Sequence, residues 1–183
     1  AGLTVDGPAF ADAWARAYPA AIARVRGGGR AWARLDVLLR EALDDLAGRF
    51  GLAGLPEQDR AGLARAWQRL PPWPDAVEGL ARLRRSFVIA PLSNAGVAML
   101  VHLSRHAGLP WDCILSAELA RRYKPAPEVY RLAPDLLGVA PSDVMMVAAH
   151  PGDLDAAARE VLRTAYVHRP LEWGEGKRAE PPP

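Results

Sequence analysis

The sequence predicts an α/β protein in which an all-helical subdomain precedes a doubly wound parallel-sheet core. Apolar residues recur every three or four positions up to about Leu70, and no segment there alternates like a strand. A proline-rich stretch at 71–75 then fixes the backbone as a stiff, extended connector. Beyond it, short apolar runs alternate with helical segments, which is typical of parallel sheets.

These changes of pattern divide the 183 residues into four parts. We expect a helical subdomain at 1–70, a linker at 71–75, an α/β core at 76–173 and a disordered polar tail at 174–183. The helical subdomain should contain three helices. The first opens at Pro8 and ends at the glycines of 27–29, the second carries a leucine face and ends near Gly51, and the third opens at Pro56.

The core should contain four buried strands, at 87–92, 113–115, 144–149 and 164–167. Helices are predicted between and before them, at 75–85, 97–107, 127–137 and 155–161. Two prolines fit this pattern poorly. Pro91 removes a hydrogen-bond donor from the first strand, and Pro134 costs about 3 kcal/mol if its helix continues through it.

Composition and charge argue against several classes of function. The chain has 23 basic and 21 acidic residues, and its arginines are scattered, which argues against nucleic acid as a partner. No apolar run reaches the roughly 20 residues of a membrane span, and AGLTVDGPAF does not have the pattern of a secretory signal. Because Cys113 is the single cysteine, a reducing compartment is favoured. We expect a cytoplasmic protein.

Polar residues follow the predicted strands. Ser93 and Asn94 come after the first strand, Lys124 precedes the helix at 127–137, and His150 and Asp153 come after the third strand. Ligands of open parallel sheets bind beyond the carboxyl ends of the strands, so these side chains are candidates for one site. Taken alone, Ser93 and Asn94 fit a helix cap better than a binding site.

The order of a strand ending in LSN, then YKP, then a strand ending in AAHPGD is similar to the motif order of the haloacid dehalogenase superfamily. The segments PWPDAVEGLARL, HAGLPWDCILSAEL and MMVAAHPGDLDAA resemble its (S)-2-haloacid dehalogenase branch, and the resemblance covers about 3–173. It implies a Rossmann-like core with a helical cap, a small-molecule 2-haloacid as substrate, and no cofactor. It also allows a homodimer, although Trp14 and Trp32 of the cap can equally pack within the chain.

The resemblance implies roles for the candidate residues. Ser93 and Tyr130 match positions at the substrate carboxylate, and Asn94 matches part of the halide cradle. Arg16 matches the arginine that meets the departing halide; it also fits a solvated helix arginine. His150 is left open as a proton carrier or a packing residue.

Lys124 matches the lysine that pairs with the carboxylates of the site, and Asp153 matches the acid that orients or activates water. The implied chemistry is attack by an aspartate on the carbon that bears the halogen, followed by hydrolysis of the ester to a 2-hydroxy acid. Ala149 stands where phosphatases of the superfamily hold magnesium with an acid, so no metal site is expected. A magnesium-dependent phosphatase is the alternative.

The sequence departs from the family pattern in two places. The nucleophilic aspartate belongs to a strand before the cap, whereas Asp6 and Asp12 lie at a helix entry and on a helix. We therefore expect the family's nucleophile-bearing strand, which would precede the cap, to be missing. This chain, as given, is then a candidate non-catalytic protein. Val161 occupies a helix end where the family usually has glycine, and a β-branched residue tolerates a positive φ poorly.

Overall fold

The computed structural model describes residues 5–172 and 174, which form two compact units, Ala1–Arg121 and Arg122–Pro183. Apart from Gly174, the tail predicted to be disordered at 174–183 lies outside the described residues. The division predicted at 71–75 falls inside the first unit and stays a prediction.

The first unit opens with the three predicted helices, α1 (Gly7–Arg26), α2 (Leu35–Arg49) and α3 (Glu57–Ala64), followed by a 3₁₀ turn at Arg65–Arg69. Asp6 caps α1, because its Oδ1 accepts a hydrogen bond from the Ala9 amide at 3.0 Å. Trp14 packs edge-on against Trp67 and donates from Nε1 to the Leu39 carbonyl at 2.9 Å. Trp14 is therefore buried inside the unit and is not available to a second molecule.

The rest of the first unit contains α4 (Ala76–Leu83), β1 (Leu92–Ser93), α5 (Val97–Ala107), β2 (Leu115–Ser116) and the short α6 (Ala117–Ala120). β1 and β2 pair in parallel, with Leu92 opposite Leu115 and Ser93 opposite Ser116. Helix α5 has the predicted bounds, whereas α6 was not predicted.

The strand predicted at 87–92 forms only at its end. Phe87 and Val88 are 65% and 66% exposed. The Ile89 amide donates to the Asp112 side chain at 3.0 Å, and Pro91 has no amide hydrogen to donate. The Asp112 side chain thus accepts the hydrogen bond that a neighbouring strand would accept in a sheet. The predicted strand is therefore wrong over 87–91. The strand predicted at 113–115 begins later, at Leu115.

The second unit contains α7 (Pro127–Leu137), a 3₁₀ turn at Pro141–Asp143, β3 (Met145–Ala148), α8 (Pro151–Arg159) and β4 (Arg163–Tyr166). β3 and β4 pair in parallel from Met145 opposite Arg163 to Ala148 opposite Tyr166. Both strands lie within a residue or two of their predicted bounds. Helix α7 has the predicted bounds and continues through Pro134. Helix α8 begins earlier than predicted, at Pro151 rather than near Asp155.

Helix α8 ends in a Schellman motif at Val161. The Val161 amide donates to the Ala158 carbonyl at 3.0 Å, and the Leu162 amide donates to the Ala157 carbonyl at 3.2 Å. Val161 has a φ of 65°, in the left-handed region that glycine, the residue usual at this position in the family, adopts most easily. Leu162, which follows, is buried, as is typical of the apolar residue after such a turn.

The described strands pair in parallel and are connected through helices, which confirms the predicted α/β class. No helix in the described part of the chain is both long and apolar enough to cross a lipid bilayer.

Candidate active site

The second unit brings three predicted site residues together around one carboxylate. Lys124 Nζ donates to Asp153 Oδ2 at 2.8 Å, and the Tyr130 hydroxyl donates to Asp153 Oδ1 at 2.6 Å. Lys124 Nζ also lies 5.4 Å from the centre of the Tyr130 ring. The side chains of Lys124 and Asp153 are 13% and 18% exposed, and Tyr130 is fully buried. Both carboxylate oxygens of Asp153 are therefore held by donors in a largely dry environment.

Three elements supply this cluster. Asp153 lies in the first turn of α8, directly after β3, where the partial positive charge of the helix start favours a carboxylate. Tyr130 is on the first half of α7. Lys124 lies in the segment before α7, between the buried Tyr123 and a cis peptide bond to Pro125. Residues that are 29 positions apart in the chain thus meet because α7 and α8 pack in the same unit.

Burial shifts the proton equilibrium of the lysine. Desolvation lowers the pKa of Lys124 below its ordinary value, and the neighbouring Asp153 carboxylate opposes that shift. The ammonium is therefore stabilised chiefly by its ion pair. Such a pair keeps a fixed, charged hydrogen-bond acceptor at the end of β3, which could orient a water molecule.

His150 lies beside this cluster in sequence but has another partner. It is the N-cap residue of α8, and its Nε2 lies 2.7 Å from Glu172 Oε1. The imidazole is 47% exposed, and the Glu172 side chain is 23% exposed. His150 thus ties the start of α8 to the segment that follows β4.

Ser93 and Asn94 belong to the first unit, where they follow β1. Ser93 Oγ accepts a hydrogen bond from the Ala95 amide at 3.1 Å, which is the local turn contact expected of a capping serine. Both residues are partly exposed. A ligand can therefore reach them.

Arg16 is on α1 of the first unit. Its guanidinium lies 3.7 Å from Asp12, and the two side chains are 72% and 50% exposed. This geometry is that of a solvated helix ion pair.

Sequence reasoning did not identify three further residues near these positions. Glu172 pairs with His150, while Ser116 and Glu118 bond to the segment that follows Ser93. Ser116 was a visible signal, because a serine directly before a helix is typical of an N-cap, whereas Glu118 follows it by two residues and not by the three of a capping box. Glu172 carried no comparable signal.

Ala149 follows β3 directly and has no side-chain oxygen that could bind a metal ion. Among residues 5–172 and 174, no three His, Cys, Asp or Glu side chains form a group that could hold a metal ion.

Comparison with known proteins gives one consistent result. A profile of the haloacid dehalogenase-like hydrolases matches residues 3–159. The (S)-2-haloacid dehalogenase of Xanthobacter autotrophicus is 33% identical over 92% of this chain and 72% of its own length. The (S)-2-haloacid dehalogenase 4A of Burkholderia cepacia is 34% identical over 69% of this chain, and the chain spans 58% of that relative.

Solved structures agree with the sequence comparison. An L-2-haloacid dehalogenase superposes with a TM-score of 0.93 at 44% identity, over 97% of this chain and 76% of that one. The Xanthobacter autotrophicus enzyme with chloropropionic acid covalently bound superposes with a TM-score of 0.78 at 33% identity, over 88% of this chain and 65% of that one.

Proposed function

Since the chain belongs to the haloacid dehalogenase-like hydrolase family, we propose that it supplies part of the active site of an enzyme that cleaves the carbon–halogen bond of short (S)-2-haloacids. Its fold is accordingly α/β, with a Rossmann-like core and a helical cap. The observation that carries the proposal is the buried cluster of Lys124, Tyr130 and Asp153, which holds one carboxylate in a fixed position. Position 149, directly after β3, is an alanine and adds no second carboxylate to bind magnesium.

The first step of the proposed reaction is a displacement. An aspartate oxygen attacks C2 of the haloacid, the carbon–halogen bond breaks, and the halide leaves with the bonding electron pair. The product of this step is an ester between the enzyme and the acid. A relative solved with chloropropionic acid covalently bound supports an intermediate of this kind.

The second step is hydrolysis of that ester. Water attacks the ester carbonyl carbon on the enzyme side, the acyl carbon–oxygen bond breaks, and a 2-hydroxy acid and one proton are released. Asp153 is suited to orienting this water, because Lys124 and Tyr130 fix its two oxygens. Ser93 would hold the substrate carboxylate, and Asn94 and Arg16 would meet the departing halide.

The proposed nucleophile is an aspartate on a strand before the helical cap. In the described chain no strand precedes β1. The activity is therefore assigned to a protein that carries both this chain and a strand with that aspartate. The reaction is proposed to proceed without a metal, in the cytoplasm.

The decisive experiment measures halide release from (S)-2-chloropropionate by that protein in the presence of a chelator. Chloride and the inverted 2-hydroxy acid are expected in equal amounts. In a single turnover in ¹⁸O water, the label should enter the enzyme carboxylate and not the product. Turnover of a phosphate ester in magnesium without halide release would favour the phosphatase instead.

The 183-residue chain alone is the matched control for the nucleophile. We expect it to release no halide. Release at an enzymatic rate would contradict the idea that the nucleophile lies on an added strand.

A further inference from the structure

Two loops of the first unit are joined at the carboxyl ends of β1 and β2. One loop follows β1 and contains Ser93 to Val97; the other is the corner of Ser116 to Glu118 at the start of α6. Because Ser93 and Ser116 are opposite each other in the parallel register, the two loops leave their strands side by side.

Ser116 bonds to both loops at once. Its Oγ donates to the Ala95 carbonyl at 2.6 Å and accepts from the Glu118 amide at 3.0 Å. The residue is fully buried, so water does not compete for these bonds. Ala95 is also the residue whose amide donates to Ser93 Oγ. Ser116 and Ser93 thus bond to opposite sides of the same residue, Ala95, at its carbonyl and its amide.

Glu118 provides the second link. Its Oε2 accepts from the Val97 amide at 2.9 Å, at the first residue of α5. The N-cap position of α5 is Gly96, which has no side chain with which to cap the helix itself. A carboxylate from another element takes that role, and the positive end of the helix dipole favours its charge.

Gly96 shows how closely the carboxylate approaches. A Cβ added there would lie 3.0 Å from Glu118 Oε2 and 4.0 Å from Asp36 Oδ1. Gly96 is buried, so a methyl group at this position would require the Glu118 carboxylate to move by a few tenths of an ångström. The loop after β1 is thus held at Ala95 by Ser116 and at Val97 by Glu118.

We propose that Glu118, acting with Ser116, is a positioning residue that sets Ser93 and Asn94 for the carboxylate of the substrate. The inference rests on the proposed function, because it takes the 2-haloacid as the ligand of Ser93. Neither Glu118 nor Ser116 touches substrate in this proposal; each acts through the backbone of residues 95–97.

The test compares the variants Glu118→Ala, Glu118→Gln and Gly96→Ala in the protein that carries the nucleophile strand. Glu118→Ala should raise KM for (S)-2-chloropropionate about tenfold, which corresponds to one charge-assisted hydrogen bond. Its kcat should change less than about threefold, because uniform binding energy is lost. Glu118→Gln keeps an oxygen acceptor and should recover most of the loss. Gly96→Ala shifts the carboxylate without removing it, so it should raise KM less than Glu118→Ala does.

Glu78→Ala is the control, since Glu78 is an exposed acid in the first turn of α4 and is remote from the loop in sequence. Hydrogen exchange of the Val97 amide gives a readout that is independent of turnover, and it should become faster in Glu118→Ala but not in Glu78→Ala. An unchanged KM in Glu118→Ala would overturn the positioning role. A fall in kcat with unchanged KM would also overturn it, because that pattern indicates only a smaller folded fraction. Absence of halide release from the unsubstituted protein would instead overturn the proposed function, and the substrate role of Glu118 with it.

Discussion

Asp153 is the residue on which the second-unit site depends. Its two carboxylate oxygens accept from two different donors, the Lys124 ammonium and the Tyr130 hydroxyl. Removing one member of a buried ion pair leaves the other charge unpaired, which costs about 3–5 kcal/mol. Side-chain exposures of 13% and 18% place the pair between the surface and fully buried cases, so the cost should fall below that range.

Replacement of Lys124 by methionine should therefore lower activity more than stability. Methionine keeps the length and apolar stem of lysine but removes the donor to Asp153. We expect kcat for halide release to fall about 100-fold or more, as for the loss of one preorganised electrostatic partner. Arg122→Met is the matched control, because it removes an exposed cation two positions away. Equal losses in the two variants would contradict the role of Lys124.

The rate of the reaction should fall at alkaline pH as Lys124 loses its proton. Burial lowers the pKa of this lysine below its ordinary value of 10.5, so it loses its proton at a lower pH than an exposed lysine. Activity should then decline on the alkaline side before pH 10.5, as Asp153 loses its cationic partner.

Stability should change in the opposite direction over the same interval. Between the folded and unfolded pKa values of Lys124, the unfolded chain binds more protons, so the contribution of Lys124 to the free energy of unfolding rises with pH. Rate and urea midpoint measured from pH 7 to 10.5 test both signs. An alkaline limb that is retained in Lys124→Met would assign the titration to another group.

At the scale of single elements, helices α5 and α7 were easier to predict than the strand at 87–92. The bounds of α5 and α7 follow from local signals, namely the glycines at 108 and 138 that end them with a φ of 66°. The strand expected at 87–92 failed because its hydrogen-bond partners are set by tertiary contacts. The Ile89 amide donates to the side chain of Asp112, which is distant in sequence, and no local sequence pattern indicates this bond.

The candidate site likewise contains residues that the sequence predicts and contacts that it does not. Lys124 and Asp153 could be predicted because each adjoins a recognisable strand or motif. The bond from Tyr130 to Asp153 and the bond from Ser116 to Ala95 depend on packing between elements, and a sequence pattern does not contain that information.

The end of α8 offers a test of backbone strain. Val161 has a φ of 65° and is 67% exposed, so its side chain contributes little packing there. A non-glycine residue in the left-handed region costs about 1–2 kcal/mol. Val161→Gly should raise the free energy of unfolding by about 1 kcal/mol, since part of the gain is offset by the entropy of glycine in the unfolded chain. Urea denaturation measures the change.

The reverse substitution at the matching position of α7 is the control. Gly138 ends that helix with a φ of 66°, and its Cβ would meet open space. Gly138→Val should therefore destabilise by a similar amount through the backbone alone. A Val161→Gly variant that is less stable than the parent would show that the valine contributes packing after all.

At the scale of the whole molecule, strand β3 exposes two large apolar side chains. Trp14 is buried, whereas Met145 and Val147 on one face of β3 are 54% and 51% exposed. Within the described residues β3 pairs only with β4, so its other edge has no strand partner in its own unit. Contiguous exposed apolar side chains beside an open strand edge favour association between copies.

The 183-residue chain should therefore self-associate through β3. Its weight-average mass in sedimentation velocity should rise with protein concentration, and the double variant Met145→Thr/Val147→Thr should suppress that rise. Threonine is a good strand former, so β3 should persist while its exposed face becomes polar. Leu136→Gln is the control, because Leu136 is 59% exposed and lies on α7, not on β3. Association that Leu136→Gln abolishes and the double variant leaves intact would place the contact on the helices instead, and the open edge of β3 would then have no part in it.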